Sequence, residues 1–461
     1  MRRFSVKKAV SLTLALALAL LLPGCGGEVS AWQETPVVPQ TNESLTVYCL
    51  GESATNKKLR MALDRFRQMY PEVEVELIQE DYGDTNLDLR DELYEKMAVQ
   101  FMAGEGPDIF VVDGFLMDVE KLVRQGVFAD MEPYFQADNF DWEPYNQAVM
   151  DGGVWNGKRF LIPLSYQFPL LFTTRSALEE TGFDVEACGD FQGFLEETTR
   201  YMEDETQTRQ LFRGKLMISD FVDESGLALG DYDTRTIDLS SPLFKAGIEW
   251  YKTLWEKCPH DYYDSYSDGF LHGAAAVRDG KVLWTVSWNH LSGFYTEFSA
   301  LKTIDEAVMM PVRDVDGGIQ AEIVDPVGVR ANSENLQNAY NYIKILLGLS
   351  VQTSVGWSWN EMSVLDRANK YFYDLISQGR HHHTLAGDNG FYSTTNRVEA
   401  LDWPTREEYN QLVGFTKEIT EAHCYSHLWW QRGMRDYIRG DADFDETLEE
   451  AQRYLERYIT E

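Results

Sequence analysis

The sequence predicts an α/β protein whose sheet is mainly parallel and covered on both faces by helices. Three observations carry that expectation. Compact apolar runs alternate with helical stretches between residues 45 and 112. The helical stretches repeat apolar residues three or four positions apart. The apolar run at Ile109–Val112 is short and unbroken, as strands buried on both faces are.

The elements follow in order. Leu45–Leu50 reads as a strand running into Gly51-Glu52-Ser53. Leu59, Leu63, Phe66 and Tyr70 line one face of a helix that Pro71 stops. Val73, Val75 and Leu77 alternate with Glu72, Glu74 and Glu76, the pattern of a half-exposed strand. Leu89, Leu93 and Met97 mark a second helix closed by Gly104, and Asp113-Gly114 turns the chain out of the third strand. Trp155-Asn156-Gly157-Lys158 predicts a tight hairpin, followed by strands at Arg159–Ser165 and Leu170–Thr173. Helices are expected at Phe191–Tyr201, Pro242–Glu256, Asn335–Leu349 and Phe444–Ile459, and strands at Lys281–Trp288 and Val308–Val312.

The chain has 461 residues with 41 basic and 75 acidic groups, a net charge of −34. An excess of acid on this scale argues against nucleic acid as a partner, because phosphate contacts need clustered Lys and Arg. It equally disfavours adhesion of the body to anionic lipid. Hydrophobic residues at 44% and aromatics at 13% argue against disorder.

The N-terminus speaks to compartment. Arg2, Arg3, Lys7 and Lys8 precede an apolar stretch at Ala9–Leu22, too short to span a membrane comfortably, then Leu22-Pro23-Gly24-Cys25. This resembles a bacterial lipobox. The resemblance implies cleavage after residue 24 and diacylglyceryl transfer to Cys25, which would anchor the protein to the membrane. Residues 25–44 then form a polar tether with a reach of at most roughly 60 Å. Without the four basic residues of the leader the charge becomes −38. Cys49, Cys188, Cys258 and Cys424 are far apart, with no C-x-x-C spacing, and read as buried thiols.

Several separated segments together resemble the family 1 extracellular solute-binding proteins of ABC importers, the maltose-binding-protein type. They are Leu45-Thr46-Val47-Tyr48, Tyr70-Pro71-Glu72-Val73-Glu74-Val75, Ala103-Gly104-Glu105-Gly106-Pro107-Asp108-Ile109 and Gly157-Lys158-Arg159-Phe160-Leu161-Ile162-Pro163. Further on come Asp279-Gly280-Lys281 with Ser287-Trp288, Asp325-Pro326-Val327-Gly328-Val329, and Gly440 with Phe444–Gln452. The chain departs from the pattern at Leu283-Trp284, at Ser287 and at Thr173-Thr174-Arg175. The resemblance implies a two-lobed periplasmic-binding-protein-like fold, each lobe a mainly parallel sheet flanked by helices, with hinge strands between. It maps one lobe to residues 45–165 and 312–350 and the other to 166–311 and 351–461. It also implies a non-catalytic monomer that hands a carbohydrate, expected to be an oligosaccharide, to the permease subunits of an ABC transporter.

Candidate ligand residues follow from two arguments. Ligands in open α/β sheets sit beyond the carboxyl ends of the strands, which singles out Glu52, Ser53 and Asp113. Asp113 serves equally as a turn former before Gly114. Sugars present apolar C–H faces and hydroxyl rims, and twelve Trp are available as platforms. Trp288-Asn289 aligns with a family Trp that stacks on sugar rings. Trp357, Trp359 and Glu361 lie in a stretch without helical pattern, where both Trp could face one way; burial of the pair is the other reading. Trp155 and Tyr166, with Gln167, lie near the crossover between lobes, and Asp223 follows a short strand. His423 and His427 are spaced as on one helix face, but read as a surface or interface pair; no metal or cofactor is expected. No G-x-S-x-G, H-E-x-x-H or phosphate-binding loop is present. A secreted glycoside hydrolase and a receptor for a non-sugar solute remain the alternatives.

Overall fold

The computed structural model describes residues 44–50, 54–80, 87–112, 117–212, 225–259, 272–287, 294–324, 326–353, 361–377, 402–424 and 430–460. The first strand, β1 (Ser44–Leu50), is followed by a helix at Ala54–Met69, then β2 (Glu74–Glu80), a helix at Leu87–Met102 and β3 (Ile109–Val111). Five short strands come next: β4 (Val154–Trp155), β5 (Lys158–Arg159), β6 (Leu161–Ile162), β7 (Ser165–Gln167) and β8 (Leu170–Thr174). They are followed by β9 (Gly230–Asp231), β10 (Thr236–Ile237), β11 (Thr285–Ser287) and β12 (Ala307–Pro311). The last strands are β13 (Ile319–Val324), β14 (Val327–Val329), β15 (Met362–Ser363) and β16 (Ile419–His423).

The expected β-α-β-α-β unit is present. β1 pairs in parallel with β2 on one side and β3 on the other, and β14 and β6 extend the sheet in the order β2-β1-β3-β14-β6. Both faces are buried. Leu45, Val47 and Ile109 pack in one core with Leu59, Leu63 and Phe66 of the first helix, while Tyr48 and Phe110 pack in another with Met97, Phe101 and Val123. The entry to β3 is tied down by Asp108, which is 3% exposed. Its carboxylate accepts from Thr46 N and Thr46 Oγ1 at 2.8 Å, Ser333 Oγ at 2.7 Å and Asn335 Nδ2 at 3.0 Å. One buried charge thereby joins β1 and β3 to a segment more than 220 residues later.

A second body surrounds the three-stranded sheet β11-β8-β12. Leu171 and Met310 from this sheet share a core with Phe194, Trp250, Met434 and Leu455 from four long helices, Phe191–Glu203, Pro242–Lys257, Trp430–Arg439 and Phe444–Thr460. Here the expectation of a mainly parallel sheet fails, because β11 and β12 both run antiparallel to β8. The cause is topological. β8 carries the chain outward from the first body and β12 carries it back, so neighbouring strands oppose each other. The first sheet is mixed for a related reason, since the returning β14 enters antiparallel to β3.

The two crossings lie side by side. The chain leaves the first sheet at β6, passes through β7 and enters the second at β8; it returns from β12 through β13 to β14. β7 and β13 pair antiparallel, matching Gln167 with Glu322, Tyr166 with Ile323 and Ser165 with Val324. β15 flanks β7 and β16 flanks β13, giving a four-stranded sheet between the bodies. Pro163 breaks the continuous run expected over Arg159–Ser165, and Pro169 separates β7 from β8. One face of this hinge sheet is closed: Tyr166, Ala321, Ile323 and Ala422 share a core with Tyr373, Ile376, Tyr409 and Leu412 from the helices Asp366–Ser377 and Arg406–Thr416. The opposite face carries Gln167, Glu322 and His423, each only partly buried.

The expected hairpin is present as β4 and β5, with Asn156 and Gly157 at φ 52° and 74°, the left-handed pair that a two-residue turn of this hand requires. All four cysteines in the described residues are thiols, and Cys49, Cys188 and Cys258 are buried. Among the described residues no helix is long and apolar enough to cross a membrane.

Two outcomes follow for stability. Asp108→Ala leaves four donors buried without their acceptor and should lower the unfolding free energy by about 3 kcal/mol in urea titrations, with Asp108→Asn falling between the two. His423 is half-buried as a residue, but desolvation of its ring holds the pKa down to about 4, against 6.5 when unfolded. The unfolded chain therefore binds the extra proton first, and stability drops as pH falls from about 6.5 toward 4. Urea midpoints for His423→Gln across that range should fall less steeply than those of the parent.

Candidate functional site: the open face of the hinge sheet

The strand alternation sets what the two bodies enclose. Along β13, Ala321 and Ile323 point to the closed core, so Glu322 between them points away from it. The aligned partners of Glu322 are Gln167 on one side and His423 on the other. Three polar side chains from three strands thus form a row across the hinge. Gln167 Nε2 donates to Glu322 Oε2 at 2.6 Å. His423 is held neutral by desolvation and is available as a hydrogen-bond donor or acceptor rather than a cation. Cys424 follows at the end of β16. Burial, together with the charges of Glu322 and Glu120, pushes its thiol up, so it stays protonated.

Trp155 belongs to the first body. It is half-buried at the tip of the β4–β5 hairpin and packs against the core that holds Phe110, Phe128 and Leu161, as Cys424 also does. A partly open indole offers a polyhydroxylated ligand an apolar face, and the row's carboxylate and amide offer partners for its hydroxyls. Glu361 is half-buried immediately before β15, whose Met362 pairs with Tyr166.

Tyr166 is placed differently from the expectation. It is 0% exposed and belongs to the core on the closed face, so it presents no surface to a solute. Being one residue from Gln167 on a strand puts it on the opposite side, and its ring fills the core beneath the site instead. Trp284 is likewise 0% exposed and packs against Phe183. Glu52, Ser53, Asp113, Asp223, Trp288, Asn289, Trp357 and Trp359 lie outside the described residues, as does His427. The strands before several of them are described: β1 ends at Leu50, β3 at Val111 and β11 at Ser287.

Glu322 and His423 are site residues that the sequence reading does not select. The available signal is the alternation Ile-Gln-Ala-Glu-Ile over 319–323, which a strand with one buried face requires. Among the described residues no group of three or more His, Cys, Asp or Glu converges as a metal cage.

Comparison with known proteins agrees with this architecture. The family model of the bacterial extracellular solute-binding proteins matches residues 52–353. Among curated proteins, no sequence matches the chain. Solved structures do. The sugar-binding protein MalE from Xanthomonas citri superposes with a TM-score of 0.60 at 13% identity, covering 90% of this chain and 97% of that one. A family 1 extracellular solute-binding protein from Alicyclobacillus acidocaldarius gives 0.55 at 12% identity over 93% and 100% of the two chains. Maltose-bound MalE3 of T. maritima gives 0.53 at 16% identity over 90% and 99%. At these identities the likeness is one of fold: two α/β lobes joined by a hinge. The family match spans well over half of the sequence, and the chain belongs to the bacterial extracellular solute-binding proteins.

Proposed function

We propose that this protein is a lipid-anchored receptor that captures a carbohydrate between its two lobes and delivers it to the permease of an ABC transporter. The observation that carries the reading is the one-sided hinge sheet. Gln167, Glu322 and His423 form a polar row on its open face. Such a row suits hydroxyl groups: it offers a carboxylate acceptor, an amide and a neutral imidazole. Its carboxylate disfavours polyanionic solutes. Binding to both lobes would stabilise the closed arrangement through contacts that only that arrangement makes.

The remaining parts of the receptor are proposed from the sequence. The lobes are taken as 45–165 with 312–350, and 166–311 with 351–461. Glu52, Ser53, Asp113, Asp223, Trp288, Asn289, Trp357, Trp359 and Glu361 are taken as cleft residues, Trp288 as the stacking platform. Structures of this fold are described with maltose (T. maritima) and with cycloalternan (Listeria monocytogenes), which supports a glycan here. Cys25 carries the lipid, residues 25–44 form the tether, and the receptor works as a monomer on the outer side of the membrane.

Two experiments test this. In thermal denaturation with maltose, maltotriose and larger glycans, a true ligand at one hundred times its dissociation constant adds about 2.7 kcal/mol of stability. Trp288→Ala should weaken that ligand about tenfold without changing the ligand-free transition, and the glycan should be recovered intact. Stabilisation by peptides alone, or cleavage of the glycan, would reject the reading. Separately, cells expressing the chain should incorporate labelled palmitate into it, and Cys25→Ala should abolish the label and release the protein from the membrane fraction. A Cys25→Ala variant that stays labelled would remove the anchor from the proposal.

A further inference from the structure

The hinge strands are not the only connection between the two bodies. The short helix Val119–Arg124 belongs to the first: Val119, Leu122 and Val123 pack in the core with Phe110 and Phe128. The hairpin β9–β10 and the last helix belong to the second: Ile237, Leu455 and Ile459 pack in the core with Leu171 and Trp250. Yet side chains from these elements meet. Asp118 caps the short helix through Oδ1, which accepts from Lys121 N at 3.0 Å. Its other oxygen, Oδ2, accepts from the hydroxyls of Tyr232 and Tyr458, both at 2.8 Å.

Cations surround this junction. Lys121 Nζ lies 3.7 Å from the centre of the Tyr458 ring and donates to the Tyr458 carbonyl. The Arg124 guanidinium stands 5.6 Å from the Tyr232 ring centre and pairs with Asp233 across the gap and with Glu120 on its own helix at 2.8 Å. The hairpin and the last helix are themselves joined, because Gln452 Nε2 donates to the Ile237 carbonyl at 3.0 Å. Two elements of one body therefore converge on a single carboxylate of the other.

The position of the junction gives it a consequence. Glu120, two residues from Asp118, lies close enough to Cys424 for its charge to act on that thiol, as Glu322 does. The helix Val119–Arg124 also packs in the core that Cys424, at the end of hinge strand β16, touches. We propose that Asp118, Tyr232 and Tyr458 form a clasp that holds the two bodies together. Rotation about β7 and β13 that parts the bodies must break both tyrosine bonds, so the clasp biases the hinge toward closure before any solute arrives. Solute affinity then depends partly on residues that need not touch the solute.

The test needs no solute, so it stands or falls apart from the carbohydrate assignment. The full chain in detergent is treated with N-ethylmaleimide at fixed pH, and modification of each cysteine is followed by peptide mass spectrometry. Cys424, just past hinge strand β16, reports movement at the hinge; Cys188, buried in the core of the second body, reports general loosening. Tyr232→Phe with Tyr458→Phe removes two hydroxyls and keeps both rings. It should raise the Cys424 rate about tenfold and leave Cys188 unchanged. Asp118→Asn, which retains an acceptor for the helix cap, should shift Cys424 the same way by a smaller factor. An unchanged Cys424 rate in the double variant, or an equal rise at Cys188, would overturn the clasp.

Discussion

The pairing of β7 with β13 is the constraint on which the rest of the structure depends. Three aligned residue pairs join the two strands that link the sheets of the two bodies. Their register is fixed by burial: a slip of one residue would carry Tyr166 and Ile323 out of an apolar core and push Gln167 and Glu322 into it. The same alternation that locks the strands therefore makes the polar row. Antiparallel strands can twist and bend about their hydrogen bonds more readily than they can slide, which suits a joint that must flex without losing alignment. The helices behind the sheet restrict that flexing to one side.

The first half of the fold is legible in the sequence because its signals are local. Leu59, Leu63 and Phe66 recur at helical spacing and all three are buried, and Pro71 follows within two residues of the helix end. Asn156-Gly157 specifies its turn by backbone conformation alone. What escapes the sequence depends on distant partners. Periodicity cannot tell a parallel from an antiparallel neighbour, so the second sheet is misread in direction though not in its strand at β8. The row at Gln167, Glu322 and His423 assembles from three segments more than 90 residues apart, and only their pairing reveals it. Tyr166 illustrates the limit from the other side. Its proximity to the crossover is legible, but which way its ring points is set by the register.

The excess of acid is mostly a property of the surface, and the few buried charges have specific work. Asp108 serves four hydrogen-bond donors at one strand entry. Arg159, 5% exposed, sets its guanidinium against the Trp142 ring at 4.4 Å and donates to Glu132 at 2.9 Å, bracing the first body where the hairpin leaves it. Exposed pairs such as Arg67 with Asp64 contribute little by comparison. Charge number says almost nothing about this division of labour.

The place of β14 in the first sheet bears on how the chain becomes a protein at all. Residues 327–329 sit between β3 and β6, inside a sheet whose other strands end by residue 162. No part of the sequence before them can supply that strand, so the first body stays incomplete until some two-thirds of the polypeptide is present. Closing such a long loop is entropically slow. For a protein of an extracellular family this delay has a use, because its leading half cannot seal its own core while the rest is still to come.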